Sequence, residues 1–115
     1  MEVKRSTKRR RLESVIQKKL KEALEIRGWT VMVTHGNAYQ KGFPDLYIYQ
    51  RSYGSRWVEV KCPENPTFTP AQLEYFHKMA SAGVGVWVLL SEEQDEIDLL
   101  FKRPNWHHYL SIMKI

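Results

Sequence analysis

Residues 42–61 read GFPDLYIYQRSYGSRWVEVK. Leu46 and Ile48, and again Val58 and Val60, recur at every second position, the period of strands that turn one face to a core. Between the two runs, residues 51–55 (RSYGS) have turn chemistry, so the stretch predicts a β-hairpin. Pro44 is compatible only with the first position or an edge of its strand. Three charges sit on these strands: Asp45 starts the first, and Glu59 and Lys61 end the second. In WVEVK, Val58 and Val60 point one way, while Trp57, Glu59 and Lys61 point the other. Two charges at i and i+2 on a central strand are costly to bury unless something compensates them.

Upstream of the hairpin, Leu12, Val15, Ile16, Leu20, Ala23 and Leu24 fall at helical spacing with lysines opposite, and Gly28 closes that helix. Residues 29–34 (WTVMVT) read as a strand, and 35–42 (HGNAYQKG) as a polar loop. Downstream, a proline-rich loop leads to Thr69, which caps a helix with Pro70 in its first position; the helix runs to about Ala82 and Gly83 ends it. Residues 84–90 (VGVWVLL) are continuously apolar, the mark of a strand buried on both faces. An acidic loop, an edge strand over 97–101 and a short helix near Pro104 complete the chain. The order is α-β-β-β-α-β plus a C-terminal tail, an α/β fold with a mixed central sheet flanked by helices. The helix between 56–62 and 84–90 is a crossover, which makes those strands parallel neighbours, while the earlier strands pair antiparallel.

A chain of 115 residues, 43% hydrophobic, is enough for one domain with a modest core and excludes a disordered chain. The single cysteine, Cys62, excludes an internal disulfide framework and any multi-cysteine zinc site, and reads as a small core residue. No apolar run is long enough to span a bilayer, and no apolar signal segment follows the charged N-terminus, so the expected setting is the cytoplasm. The net charge of +5 is unevenly placed. Lys4, Arg5, Lys8, Arg9, Arg10, Arg11, Lys18, Lys19 and Lys21 face only Glu2 and Glu13, whereas Glu92, Glu93, Asp95, Glu96 and Asp98 cluster near the other end. Residues 1–11 read as a flexible basic arm before a single domain over 12–115. Such an arm suits a polyanion, nucleic acid being the usual one, and equally suits a solvated terminus.

The hairpin brings Asp45 toward Glu59. Two converging carboxylates repel one another, and a divalent cation relieves the repulsion; Mg²⁺ suits a site of one or two carboxylates completed by water and phosphate oxygens. Lys61 beside the ion would orient or deprotonate an attacking water, or neutralise charge growing on a phosphate. Singly, each residue has a plainer reading: Pro-Asp is turn chemistry, and Glu59–Lys61 suits an ion pair on an exposed strand. Together, with the basic arm, they favour the functional reading. His107 and His108 are adjacent and cannot easily share a metal, so they read as surface residues. His35 and Asn37, in the loop before Asp45, are placed to touch a phosphate or to make local turn hydrogen bonds. Tyr47, Tyr49 and Trp57 share the face of the acids; packing under the first helix is the expectation, stacking on unpaired bases the alternative.

G-F-P-D at 42–45, a hairpin, then E-V-K at 59–61 resembles the PD-(D/E)XK nuclease signature. With T-P-A-Q-L-E-Y-F at 69–76, V-G-V-W-V-L-L at 84–90 and a basic first helix beginning at a glutamate, the chain resembles a stand-alone VRR-NUC domain, the viral-type replication and repair nuclease module, over about residues 12–90. The resemblance implies a restriction-endonuclease-like core and an Mg²⁺- or Mn²⁺-dependent phosphodiesterase. Asp45 and Glu59, with the Val60 carbonyl, would bind the metal, and Lys61 would be the catalytic lysine. Glu13 matches the family's helical glutamate, and Gln72 the glutamine after the lysine strand. Read from the residues alone, Glu13 is also a first-turn acid favourable to the helix dipole, and Gln72 completes a capping box with Thr69. The resemblance further implies a homodimer that cuts branched DNA, including Holliday junctions, in DNA repair within a bacterial or phage-infected cell. Lys8, Arg9, Arg10, Arg11, Lys18, Lys19 and Lys41, with His35 and Asn37, would grip DNA without reading its sequence. Two alternatives stand beside it. One is a non-catalytic module with the same fold that binds branched or single-stranded DNA. The other is a sequence-specific restriction-type nuclease, for which 115 residues leave little room.

Overall fold

Alternating hydrophobicity at 46–48 and 58–60 becomes the centre of a four-stranded sheet. The structure, a computed structural model, describes residues 2–34, 42–64 and 66–109, with residues 2–11 described by their backbone only. Helix α1 (Glu2–Ile26) precedes strands β1 (Thr30–Val33), β2 (Leu46–Gln50) and β3 (Gly54–Val60); α2 (Pro70–Ser81) crosses over to β4 (Val86–Leu89), and a short α3 (Gln94–Ile97) leads into turns of 3₁₀ helix at Asp98–Phe101 and Trp106–Tyr109. The sheet order is β1-β2-β3-β4. The first two pairings are antiparallel, with Leu46 opposite Val58, and the third is parallel, with Trp57 opposite Val86. The crossover through α2 is the reason for that parallel pair.

Each sheet face has its own core. On one, Leu20 and Leu24 of α1 bury Leu46, Ile48, Val58, Val60 and Leu89, together with Ile97 and Leu100 from the C-terminal part. On the other, Phe76 of α2 packs with Val86, Val88 and Trp106. Every residue of β4 contributes to one core or the other, as its unbroken apolar run predicts. Gly28, with φ at +91°, ends α1, and Trp29 N–H returns to the Leu24 carbonyl at 3.0 Å. Thr69 caps α2 and Gln72 bonds back to the Thr69 backbone, the capping box the sequence calls for.

Four expectations are corrected. The helix begins at Glu2, not near Leu12, because the basic segment of lysine and arginine contains good helix formers and no glycine or proline. Leu12 and Val15 lie exposed, and among the described side chains of α1 it is those of the later turns that meet the sheet. Residues 97–101 are not an edge strand. Ile97 and Leu100, both buried at a helical i, i+3 spacing, form the end of α3 and a 3₁₀ turn over the α1-side core. Finally, Tyr47 and Trp57 do not pack under α1: they pair with each other on the opposite face, at a ring separation of 4.5 Å. The parity of β2 and β3 requires this, since Leu46, Ile48, Val58 and Val60 already take the α1 face.

Candidate active site

Asp45 stands one residue before β2, and the register carries it opposite Glu59 at the end of β3. Its Oδ2 accepts the Val60 N–H at 2.9 Å, so the carboxylate takes the place of a strand residue and is held against its neighbour. The approach to Asp45 is set by Gly42, whose φ is +91°; a Cβ there would lie 2.5 Å from the Ala71 carbonyl oxygen at the start of α2. Only glycine lets this loop lie so close to the helix.

Glu59 and Lys61 are 2% and 7% exposed, which excludes the solvent-facing ion pair as their explanation. Lys61 Nζ lies 3.2 Å from Glu59 Oε2 and donates to Gln72 Oε1 at 3.1 Å, and the ammonium sits 4.9 Å from the Phe68 ring centre. Gln72 Nε2 donates to the same Glu59 oxygen at 2.7 Å. Gln72 therefore fills both of its expected positions: its Oε1 also accepts the Thr69 N–H of the capping box at 2.9 Å, while its amide nitrogen reaches the buried carboxylate.

The second oxygen of Glu59, Oε1, is buried and has no hydrogen-bond partner among the described residues. Burial first, and then the charge of Asp45, push the Glu59 carboxyl up to about 8, against the lowering influence of Lys61 and Gln72. Burial also raises Asp45, opposed by the Val60 N–H and the Lys61 charge and reinforced by Glu13. A pair of carboxyls held together at the cost of their ionisation, one with an orphaned oxygen, is a donor set that a divalent cation fits. Glu13 comes to the same place: with Ser14, Gln17, Asp45 and Val60 it lines a cavity of about 260 Å³. Among the described residues no three His, Cys, Asp or Glu side chains are grouped tightly enough to hold a metal unaided. Two carboxylates and a carbonyl, completed by water or phosphate, are a set that Mg²⁺ accepts.

Sequence reasoning missed Ser14, Gln17 and Phe68. Gln17 carries a signal, standing one helical turn from Glu13; Phe68, in a loop, carries none. Lys18 and Lys19 are exposed on α1. His35, Asn37 and Lys41, and the side chains of Lys8, Arg9, Arg10 and Arg11, lie outside the described residues. Cys62 is buried, and His107 and His108 are exposed, as expected.

A mixed four-stranded sheet flanked by helices, with acids converging at the ends of two adjacent strands, defines a nuclease-like α/β domain. A solved structure described as a VRR_NUC domain is similar to this chain: 29% of the sequence is identical, the TM-score is 0.62, and the match covers 79% of this chain and 96% of that one. The likeness agrees with the family read from the motifs and supports a nuclease-type function acting on DNA; folds of this PD-(D/E)XK type usually work with a divalent metal. No protein-family model and no curated protein matches the sequence. Among the described residues no helix is long and apolar enough to cross a membrane.

Proposed function

We propose that this chain is an Mg²⁺- or Mn²⁺-dependent endonuclease that hydrolyses phosphodiester bonds in branched DNA, Holliday junctions among them, as a homodimer. One observation carries the catalytic part: Glu59 is buried beside Asp45 with its Oε1 lacking a hydrogen-bond partner among the described residues, while Lys61 and Gln72 hold the other oxygen. A binding module has no need of two acids and a lysine buried at one point.

In this reading Asp45 and Glu59, with the Val60 carbonyl, would hold the cation, which when bound would supply Lewis acidity toward the phosphate and toward a nucleophilic water. The Val60 N–H and Gln72 Nε2 each hold one oxygen of these two carboxylates, which would leave the remaining oxygens to a cation. Lys61 keeps its ammonium at the site through Glu59 and Gln72 and offers charge to the phosphate as it becomes more negative. Glu13, across the cavity, orients the attacking water or a ligand of the cation. Lys18 and Lys19, and the basic residues before them, hold the strand through its phosphates without selecting sequence. A two-fold dimer would present two such sites, which suits paired nicks across a junction.

The test is cleavage of a four-way junction, a flap and plasmid DNA by the purified protein in Mn²⁺. Cleavage is expected on branched substrates, with Lys61→Ala losing turnover by about a hundredfold or more while keeping DNA affinity within a few-fold. A folded protein that binds all three and cuts none is a DNA-binding module instead.

A further inference from the structure

The residues that hold the candidate site continue along the sheet as a row of aromatic rings. Asp45, Tyr47 and Tyr49 alternate onto one face of β2, and Trp57, Glu59 and Lys61 onto the same face of β3. Tyr49 lies 5.9 Å from Tyr47 and Tyr47 4.5 Å from Trp57, ring centre to ring centre; Phe43 meets Trp57 edge-on at 4.8 Å, and Tyr75 in the middle of α2 lies 5.8 Å from Phe43. Helix α2 covers the β4 half of this face through Phe76, yet Tyr49 is 42% exposed and Met32, beside Tyr47, is 54% exposed. Next to Tyr47 and Trp57 opens a cavity of about 390 Å³, also lined by Arg56 and Trp87. The Arg56 guanidinium lies 5.1 Å over the Trp87 ring, both side chains belonging to the α1 face of the sheet, and the Trp87 indole donates to the Lys102 carbonyl.

A row of partly exposed aromatic rings leading away from a candidate phosphate site is chemistry that holds unpaired bases. Rings stack on base faces, and a duplex keeps those base faces hidden. Residues two apart on a strand are separated by roughly 7 Å, a step that one extended nucleotide covers. We propose that the strand whose phosphate is held at Asp45 and Glu59 continues unpaired along β2, one base stacking on Tyr47 and Trp57 and the next on Tyr49. The substrate class is therefore DNA with an unpaired stretch beside the cut. This rests on the nuclease reading for the position of the phosphate, and on the aromatic face for everything else.

The experiment is done without metal, so that binding is read apart from cleavage. Anisotropy reports the affinity of labelled single-stranded, flap and blunt-duplex DNA, and 2-aminopurine in the unpaired segment reports stacking by quenching. Tyr49→Ala and Tyr47→Leu are each expected to weaken single-strand and flap binding about tenfold, with smaller quenching, and to leave duplex binding unchanged. Tyr49→Phe keeps the ring and should bind as the native protein does. Tyr53→Ala, an exposed ring on the hairpin outside this face, should change nothing. Undiminished single-strand binding by a folded Tyr49→Ala protein overturns the proposal, and so does an equal loss on duplex. A native dimer that becomes monomeric on Tyr49→Ala also overturns it, by assigning the face to a second copy. Tyr49-dependent binding without cleavage in Mn²⁺ would sink the nuclease reading alone; cleavage with Tyr49-independent binding would sink only this one.

Discussion

Glu59 has one oxygen against Lys61 and Gln72 and the other without a hydrogen-bond partner among the described residues, within a site that pushes its carboxyl up to about 8. A carboxyl that is harder to ionise folded than unfolded makes the folded state bind the extra proton. Its full contribution to stability is present below the ordinary glutamate range and is lost as pH rises to about 8, at roughly 1.4 kcal/mol per pH unit. The metal-free protein should therefore lose melting temperature from about pH 5 to pH 8, and Glu59→Gln should flatten that slope. Because protons and metal compete for the same oxygens, Mn²⁺ should raise the melting temperature more at pH 8 than at pH 6. Calorimetry across this range checks both, and a melting temperature indifferent to Mn²⁺ at pH 8 would count against the metal site. Gln72 separates its two roles by substitution. Gln72→Glu keeps an acceptor for the Thr69 N–H but replaces the donor to Glu59 with a third carboxylate. Helix α2 should persist by circular dichroism while cleavage falls about tenfold or more. The motif spacing made Asp45, Glu59 and Lys61 legible in the sequence. It left Gln72 open, because a capping box and a site glutamine look identical until the geometry shows one side chain doing both.

Among the elements, β4 is a sheet edge that the structure covers. Asn105 Oδ1 accepts the Val88 N–H at 2.6 Å and its Nδ2 donates to the Val88 carbonyl at 2.9 Å, so one buried amide stands in for a fifth strand. Glu96 Oε1 accepts the Leu90 N–H in the same manner. Asn105→Ala leaves a buried donor and acceptor unpaired and should cost about 2–4 kcal/mol, read as a lowered denaturant midpoint at unchanged slope. If its midpoint matched the native one, water would be replacing the amide. The edge also explains the failed strand expectation at 97–101. β-Branched and apolar residues there suggested pairing, but side chains from 96 and 105 already occupy the β4 edge, and Ile97 and Leu100 serve the core better from a helical turn. Local propensity is weak wherever a tertiary partner can satisfy the backbone instead.

At the scale of the whole molecule, the charge of +5 is concentrated on α1, which the structure extends back to Glu2. A long basic helix holds phosphates along its length, and each contact released contributes about 0.9 to the slope of log affinity against log salt. Deleting residues 1–10 should weaken duplex and junction binding and flatten that slope, with the melting temperature little changed, because the described side chains that tie α1 to the core are Leu20 and Leu24, with Ile16 beside them. Salt titrations of the full and shortened chains check this; parallel slopes would show that the segment does not touch DNA.

Much of the architecture was determined by the sequence alone, because alternation of period two, capping residues and glycine stops are local and need no partner to be recognised. They specify the hairpin, the Thr69 cap, the doubly buried β4 and the acids at the strand ends. Tertiary structure decided whatever depends on which surfaces meet. Only the assembled structure could leave Glu59 Oε1 without a hydrogen-bond partner among the described residues, bring Glu13 across to Asp45, and lay α1 on the face opposite Tyr47 and Trp57. Burial and pairing belong to two elements at once, and the composition of neither element specifies them.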